Sequence, residues 1–533
     1  MVIFSPIGKG RALVEKGRVS ELANQRIGKS ANQQDGAWVL PDGWVWATLE
    51  EVCLAPQYGW TTKALAEGNL RLLRTTDITS GSIDWKSVPF CRDEPPEVEK
   101  YLLHDGDIVI SRAGSVGYSH RVRNPGRAVF ASYLIRFKPM INGQYVAYFL
   151  QSPSYWDSVY EERLGIAVPN INATKLKRIA LPLAPLPEQR RIVAAIETQF
   201  TRLDAGVAAL ERARANLRRY RAAVLKAACE GRLVPTEAEL ARAEGRDYEP
   251  AVQLLDRILA KRRAKWEAEH PGRDYKEPAP PDTEDLPKLP GGWHWASTEQ
   301  VGSVIGGLTK NSKRKAYPLR LPYLRVANVY ADELRLDDML EIGVKESELA
   351  RVLLHKGDLL VVEGNGSIDQ IGRVAIWNGS IEPCVHQNHI IKVRFPFVEV
   401  GKFVLLWLLS LGGRDQIIRV ASSTSGLYTL SLSKVSMLPV PLPPLAEQRR
   451  IVAEVERRLS VVEALEQEVE AALTRAQRLR QAVLKKAFEG RLVEQDPDDE
   501  PASALLERIR VAREARAAGG KKRKTRQMRL PEM

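Results

Sequence analysis

Cysteine is scarce: Cys53, Cys91, Cys229 and Cys384 are the only four in 533 residues, and none forms a CxxC pair. That argues against a disulfide-stapled secreted scaffold and against a cysteine-held zinc. The four read as reduced thiols in a cytoplasmic protein. Long apolar runs are missing as well. The longest, such as residues 403–409, fall far short of the ~20 residues that cross a bilayer. The N-terminal stretch has no apolar segment of the kind that directs secretion. The expectation is a soluble chain with no membrane partner. Acidic charge is in deficit, 66 Asp and Glu against 79 Lys and Arg, for a net charge of +13. Such a balance favours a polyanionic partner, most simply nucleic acid.

What the chain has is repetition. LPEQRRIVAAIE at residues 186–197 returns as LAEQRRIVAEVE at 445–456, and VLKAACEGRLV at 224–234 returns as VLKKAFEGRLV at 483–493. The two copies align without a gap while their middles drift. A length that is kept while sequence changes suggests a ruler. Ile196, Phe200, Leu203, Val207, Leu210, Leu217 and Val224 follow a 4-3 spacing, as do Val455, Leu459, Val462, Val469, Leu473, Ala476 and Val483. That seam predicts two long helices that supercoil. About 41 residues at ~1.5 Å each make a rod of roughly 60 Å. Pro187 and Pro444 suit helix starts, and Gly231 and Gly490 suit helix ends. Two ordinary helices of a bundle would show the same seam without needing matched lengths.

The repeat extends beyond the helices. LPDGWVWATLEEV at 40–52 answers LPGGWHWASTEQV at 289–301, and HDGDIVISRAGSVG at 104–117 answers HKGDLLVVEGNGSI at 355–368. Short β-branched runs at 108–111, 134–137, 359–362 and 390–393 read as strands, and 145–150 and 403–409 as buried helices. A third repeated segment, 249–266 and 500–516, leads in the first copy into a Pro- and acid-rich linker. In the second it leads into GGKKRKTR at 519–526, a basic tail expected to be disordered. The fold class is α+β, with an internal pseudo-two-fold repeat. Its expected parts are an extension of unknown role at 1–37, mixed domains at 38–186 and 289–443, and long helices at 187–234 and 444–493. A helix with linker at 235–288, and a helix with basic tail at 494–533, complete the chain.

Two variable domains opening LPxGWxW, each followed by an EQRRIV…EGRLV helix, strongly resemble the specificity subunit of type I restriction–modification systems. The resemblance covers about residues 38–516. It implies two target-recognition domains, each reading one half of a split sequence in double-stranded DNA, with the helices packed antiparallel as the spacer. It also implies two partner methyltransferase subunits that modify adenine with S-adenosylmethionine, and restriction subunits that translocate DNA and cut it using ATP. Mg2+, ATP and S-adenosylmethionine would then be bound by partners, with no cofactor and no catalytic residue on this chain. The residues agree on that point: the methyltransferase's Asn-Pro-Pro-aromatic tetrapeptide and a Walker A loop are both missing.

Polar and basic residues in the divergent loops are the candidates for DNA contact. In the first half these are Lys63, Arg74, Thr75, Arg112, Ser115, Arg121 and Arg123. In the second they are Lys310, Lys313, Arg314, Lys315, Asn365, Ser367, Gln370, Arg373, Gln387 and Asn388. Arg and Lys suit guanine edges or phosphates, and Asn or Gln suits adenine. The four cations at 310–315 look like phosphate contacts that set register. The glycine clusters at 112–117 and 364–367 read as tight turns with positive φ, able to bring backbone close to DNA. The helix ends repeat residue for residue: Glu188, Gln189, Arg190, Arg191, Glu230 and Arg232 match Glu447, Gln448, Arg449, Arg450, Glu489 and Arg491. Identical ends would present one surface twice, to two identical partners, or would dock twice onto the chain's own domains. A coiled-coil scaffold without nucleic acid, and a self-contained methyltransferase or nuclease, are the competing functions. Absence of salt-sensitive DNA binding would favour the first, and activity of the isolated chain the second.

Overall fold

The structure is a computed structural model, and it describes residues 39–79, 81–161, 170–424 and 426–527. The extension at 1–37 lies outside these. Both repeats become helices of equal length, Leu186–Cys229 and Leu445–Phe488, of 44 residues each. Every seam position is buried or half-buried. Gly231 and Gly490 follow the two ends with φ of 65° and 67°, a region that suits glycine. Each also lies so close to a proline, Pro290 and Pro41 respectively, that a side chain would collide with it. Among the described residues no helix is long and apolar enough to cross a membrane.

The chain divides into two compact units, residues 1–207 with 473–533, and residues 208–472. Each long helix therefore contributes to both units, with 186–207 and 473–488 in the first and 208–229 and 445–472 in the second.

In the first unit Val45–Thr48, from the GWxW motif, pairs antiparallel with Ala180–Leu183. Pro182 can sit there because a two-stranded ladder is all edge. Gln57–Tyr58, Leu134–Phe137, Ile108–Ser111 and Ser119–Arg121 form a four-stranded sheet in that order. A second sheet pairs Arg71–Leu73 parallel with Ala128–Phe130. The core joins these strands to both helix ends: Tyr145 and Phe149 meet Phe488 edge to face, and Tyr148 meets Phe200. The helix Ala502–Gln527 closes the unit, with Ala502 N–H donating to Gly43 O and Arg510 paired to Glu51. It continues through the basic stretch expected to be disordered, since Lys and Arg propagate a helix well once it is started.

The second unit repeats the plan. His294–Ser297 pairs with Pro439–Leu442, and Ser303–Gly306, Ile390–Arg394, Leu359–Val362 and Val374–Ile376 form the four-stranded sheet. Within this unit Arg214 meets Glu470, and Arg221 meets Glu466 and Glu463, so the two helical segments run antiparallel. In the first unit Arg480 reaches Asp204 and lies over Phe200. All four cysteines are buried free thiols, and burial pushes Cys53, Cys229 and Cys384 up to about 12.

Both units bury one cation on the same strand of this sheet. Arg136 donates to the carbonyls of Lys100 and Leu102, and Lys392 to those of Arg351 and Leu353. The second unit also buries His386, whose Nδ1 meets Ile390 O at 2.8 Å. Burial lowers its pKa from 6.5 to about 4. Between those values the unfolded chain takes a proton that the folded one refuses. The stability contributed is thus present above pH 6.5 and lost as pH falls to 4, about 3 kcal/mol in all. Urea melts at pH 7 and pH 4.5 should show a larger acid loss in the native protein than in His386→Asn. Equal losses would remove His386 as the cause.

Candidate nucleic-acid interface

A shared backbone platform underlies the divergent loops. In the first unit Trp60 N–H donates to Phe130 O at 2.8 Å, and Ser132 N–H to Trp60 O at 3.0 Å. In the second, Leu308 N–H donates to His386 O and Asn388 N–H to Leu308 O, at 2.8 and 3.0 Å. The approach is so close that a β-carbon at Gly59 or Gly307 would fall 2.3 Å from a carbonyl oxygen of Ala131 or Gln387. Beside each crossing, the residue that leaves the central strand is fixed through both backbone groups. Arg112 donates to Tyr133 O and accepts from Ile171 N–H, each at 2.9 Å. Glu363 donates to His389 O at 2.9 Å and accepts from Leu430 N–H at 2.8 Å.

The side chains on this common frame differ. Arg112 holds its guanidinium over the Tyr58 ring at 5.0 Å, and its Nε has no partner among the described residues. Tyr133 next to it is 61% exposed. At the matching place Glu363 meets His389 Nδ1 at 2.9 Å, and Gln387 and Asn388 are half-buried. Glu363, His389, Tyr58 and Tyr133 were not among the residues expected from sequence. The alignment of SRAGSVG with VEGNGSI held the signal, a change from Arg to Glu at one repeat position.

The other candidates spread more widely. Lys63, Ser115 and Arg123 are exposed, and Arg121 and Arg123 share Gln144 Oε1 at the rim of a cleft with Tyr118 and Trp156. Arg74 is paired with Asp77 at 2.8 Å, and Thr75 Oγ1 is buried. Lys310, Lys313, Lys315, Ser367 and Gln370 are exposed, while Arg373 lies over Tyr330 and donates to Val326 O.

Two expectations change here. Arg314 is no surface cation: it is buried, donates to Thr309 O and Gly343 O, and pairs with Glu348 at 3.0 Å. Its guanidinium serves the fold because five donors can satisfy that many acceptors at once. The glycine cluster at 364–367 is not a positive-φ turn, although Gly114 and Gly117 in the first half are. Gly364–Asn365 instead forms a short strand paired with Leu427–Thr429, which satisfies its backbone groups.

The repeated helix ends resolve in part into internal locks. Trp44 Nε1–H donates to Glu188 at 2.8 Å, and Trp293 Nε1–H donates to Glu447 at 2.9 Å. Gln189 and Gln448 donate to Ala184 O and Pro443 O, both at 2.8 Å. All four side chains are buried, so the reading of Glu188, Gln189, Glu447 and Gln448 as a partner surface is corrected. Burial raises both glutamates' pKa values, against the pull of the indole hydrogen bonds. Arg191 pairs with Asp499, Arg450 with Glu237, and Arg449 with Glu399. Arg491 pairs with Glu489, whose side chain is largely covered. Arg190, Glu230, Arg232, Arg449 and Arg491 remain exposed.

Residues 41–212 match the family described as the type I restriction modification DNA specificity domain. Together with the relatives below, this makes the chain similar to the specificity subunits of type I restriction–modification systems. It is 26% identical over 507 residues to the type I restriction enzyme EcoKI specificity subunit of Escherichia coli (strain K12), covering 91% of this chain and 98% of that one. Identity to the StySPI specificity subunit of Salmonella potsdam is also 26%, over 509 residues, with the same coverage. A chain solved in a study of complex assembly and conformational transition of the type I R-M system shares the fold. It superposes with a TM-score of 0.58 at 19% identity, over 85% of this chain and all of that one.

Proposed function

We propose that the protein reads a bipartite sequence in double-stranded DNA, one half with each mixed domain, and holds the partners that act on it. The observation that carries this reading is the doubled platform: one backbone frame, fixed by the same hydrogen bonds, bearing Arg112 in one unit and Glu363 in the other. Two readers of one design but different chemistry suit a target whose halves differ. The long helices act as the spacer that sets the gap. The exposed Arg190, Glu230, Arg232, Arg449 and Arg491 are the part of the repeated ends open to two identical adenine methyltransferase subunits. Restriction subunits with translocase and nuclease activity complete the assembly. S-adenosylmethionine, ATP and Mg2+ belong to those partners. An adenine must leave the stack to be methylated, so the domains hold DNA that can be opened.

The test is to express the chain with its methyltransferase partner and map methylated adenines by single-molecule sequencing. A split motif is expected, and a continuous motif or none would refute the reading. The cations make a separate point. Replacing Lys310, Lys313 and Lys315 with alanine should weaken binding to all DNA and leave the motif unchanged. The salt slope should flatten by about one for each phosphate that is no longer neutralised. Arg314→Ala should instead destabilise the fold by about 3 kcal/mol, because it strands the partly buried Glu348 and two carbonyls. A changed motif in the triple lysine variant would show that these residues read bases.

A further inference from the structure

We propose that Glu363, oriented by His389, is a base-reading residue of the second domain and accepts a hydrogen bond from a cytosine N4 amino group. Its repeat counterpart Arg112 donates to a guanine in the other half-sequence. The inference rests on the DNA-reading function above and deepens it.

Four observations carry it. Glu363 leaves the central strand Leu359–Val362 with its N–H and C=O both bonded, so its Cα is fixed by the sheet. A reader built on such a rigid element is placed more accurately than one on a loop. Its carboxylate is partly open, at 30% side-chain exposure, and one oxygen is held by His389 at 2.9 Å. The other oxygen is left to accept from a base. Arg112 occupies the same backbone position in the first unit and has its guanidinium laid on Tyr58 with Nε unpartnered. A planar fork held flat against a ring suits the O6 and N7 acceptors of guanine.

The sign of the charge argues for reading bases. On a chain of net charge +13, a carboxylate at the platform opposes the phosphate backbone and so weakens binding to DNA in general. It gains only where it meets a donor, and in the major groove the cytosine amino group is the donor that Glu recognises. His389 suits the part: its ring nitrogen, 2.9 Å away, fixes the carboxylate's rotamer. The pair thus rejects wrong bases by leaving an unmatched carboxylate against them.

The experiment uses the assembled methyltransferase complex, with methylated adenines mapped genome-wide for the native chain, Glu363→Gln, His389→Ala and Arg112→Gln. In Glu363→Gln one cytosine of the second half-sequence should lose discrimination at least about tenfold, or become adenine, which Gln recognises. His389→Ala, a change at an exposed side chain, should relax the same position less. Arg112→Gln should alter one guanine in the first half-sequence only. An unchanged second half-sequence in both Glu363→Gln and His389→Ala would overturn the proposal. So would a change confined to the half read by Arg112. A native complex that methylates no split sequence would instead overturn the underlying function.

Discussion

Trp293→Ala is expected to destabilise the second unit by about 3–5 kcal/mol. The indole is buried, meets Phe403 edge to face at 5.7 Å, and donates its N–H to Glu447. Removing it opens a cavity and takes a donor from a carboxylate that is itself fully buried. Glutamine replacements separate the two locks. Glu447 accepts from Trp293 through one oxygen and from the backbone N–H of Glu237 through the other. An amide there must turn its NH2 against a donor, at a cost of about 1–3 kcal/mol. Glu188 has one buried oxygen with no partner among the described residues, so its replacement by Gln should cost less than about 1 kcal/mol. Denaturant unfolding followed by circular dichroism should rank the losses Trp293→Ala, then Glu447→Gln, then Glu188→Gln. Equal losses for the two glutamine variants would refute this account of the locks.

Four residues inserted after Ala209 should change the gap in the methylated motif by one or two base pairs while leaving both half-sequences intact. The two helices have equal length, and in the second unit Arg214 and Arg221 fix an antiparallel register against Glu470 and Glu466. Ala208 and Ala209 are exposed, at the point where the first helix passes from one unit to the other. About one turn of helix advances the chain by ~6 Å. B-DNA rises ~3.4 Å per base pair. The domains that read the halves are untouched, so only the gap should respond. Adenine methylation mapped before and after insertion decides it. A new half-sequence at the original gap would contradict the spacer role of the helices.

The helices and their ends were legible because heptads, prolines and glycines are local signals, and the repeat supplied a second reading of each. The docking of Glu188 and Glu447 was not. EQRR reads as the charged start of a helix, and nothing local reveals that an indole some 150 residues away covers the glutamate. A retained Trp and a retained Glu in both copies were the available hint. Arg314 misled for a related reason: three lysines around it are exposed, and one buried residue in a basic run looks like its neighbours. The platform itself is the least legible part. It joins Trp60 to Ala131 and Leu308 to Gln387, pairs with no sequence in common, through backbone groups that any residue carries.

The closure of the first unit has a consequence for the order of events on the ribosome. Tyr145 and Phe149 are made early, but their aromatic partner Phe488 follows some 340 residues later. At about 5–20 residues per second, that is a wait on the order of 15–70 s. During it the nascent first domain has its sheets but lacks the wall formed by Leu484, Phe488 and Leu506. The second domain, whose walls lie within residues 208–472, has all its parts before the first one does. Translation therefore completes this chain's domains in the reverse of their written order.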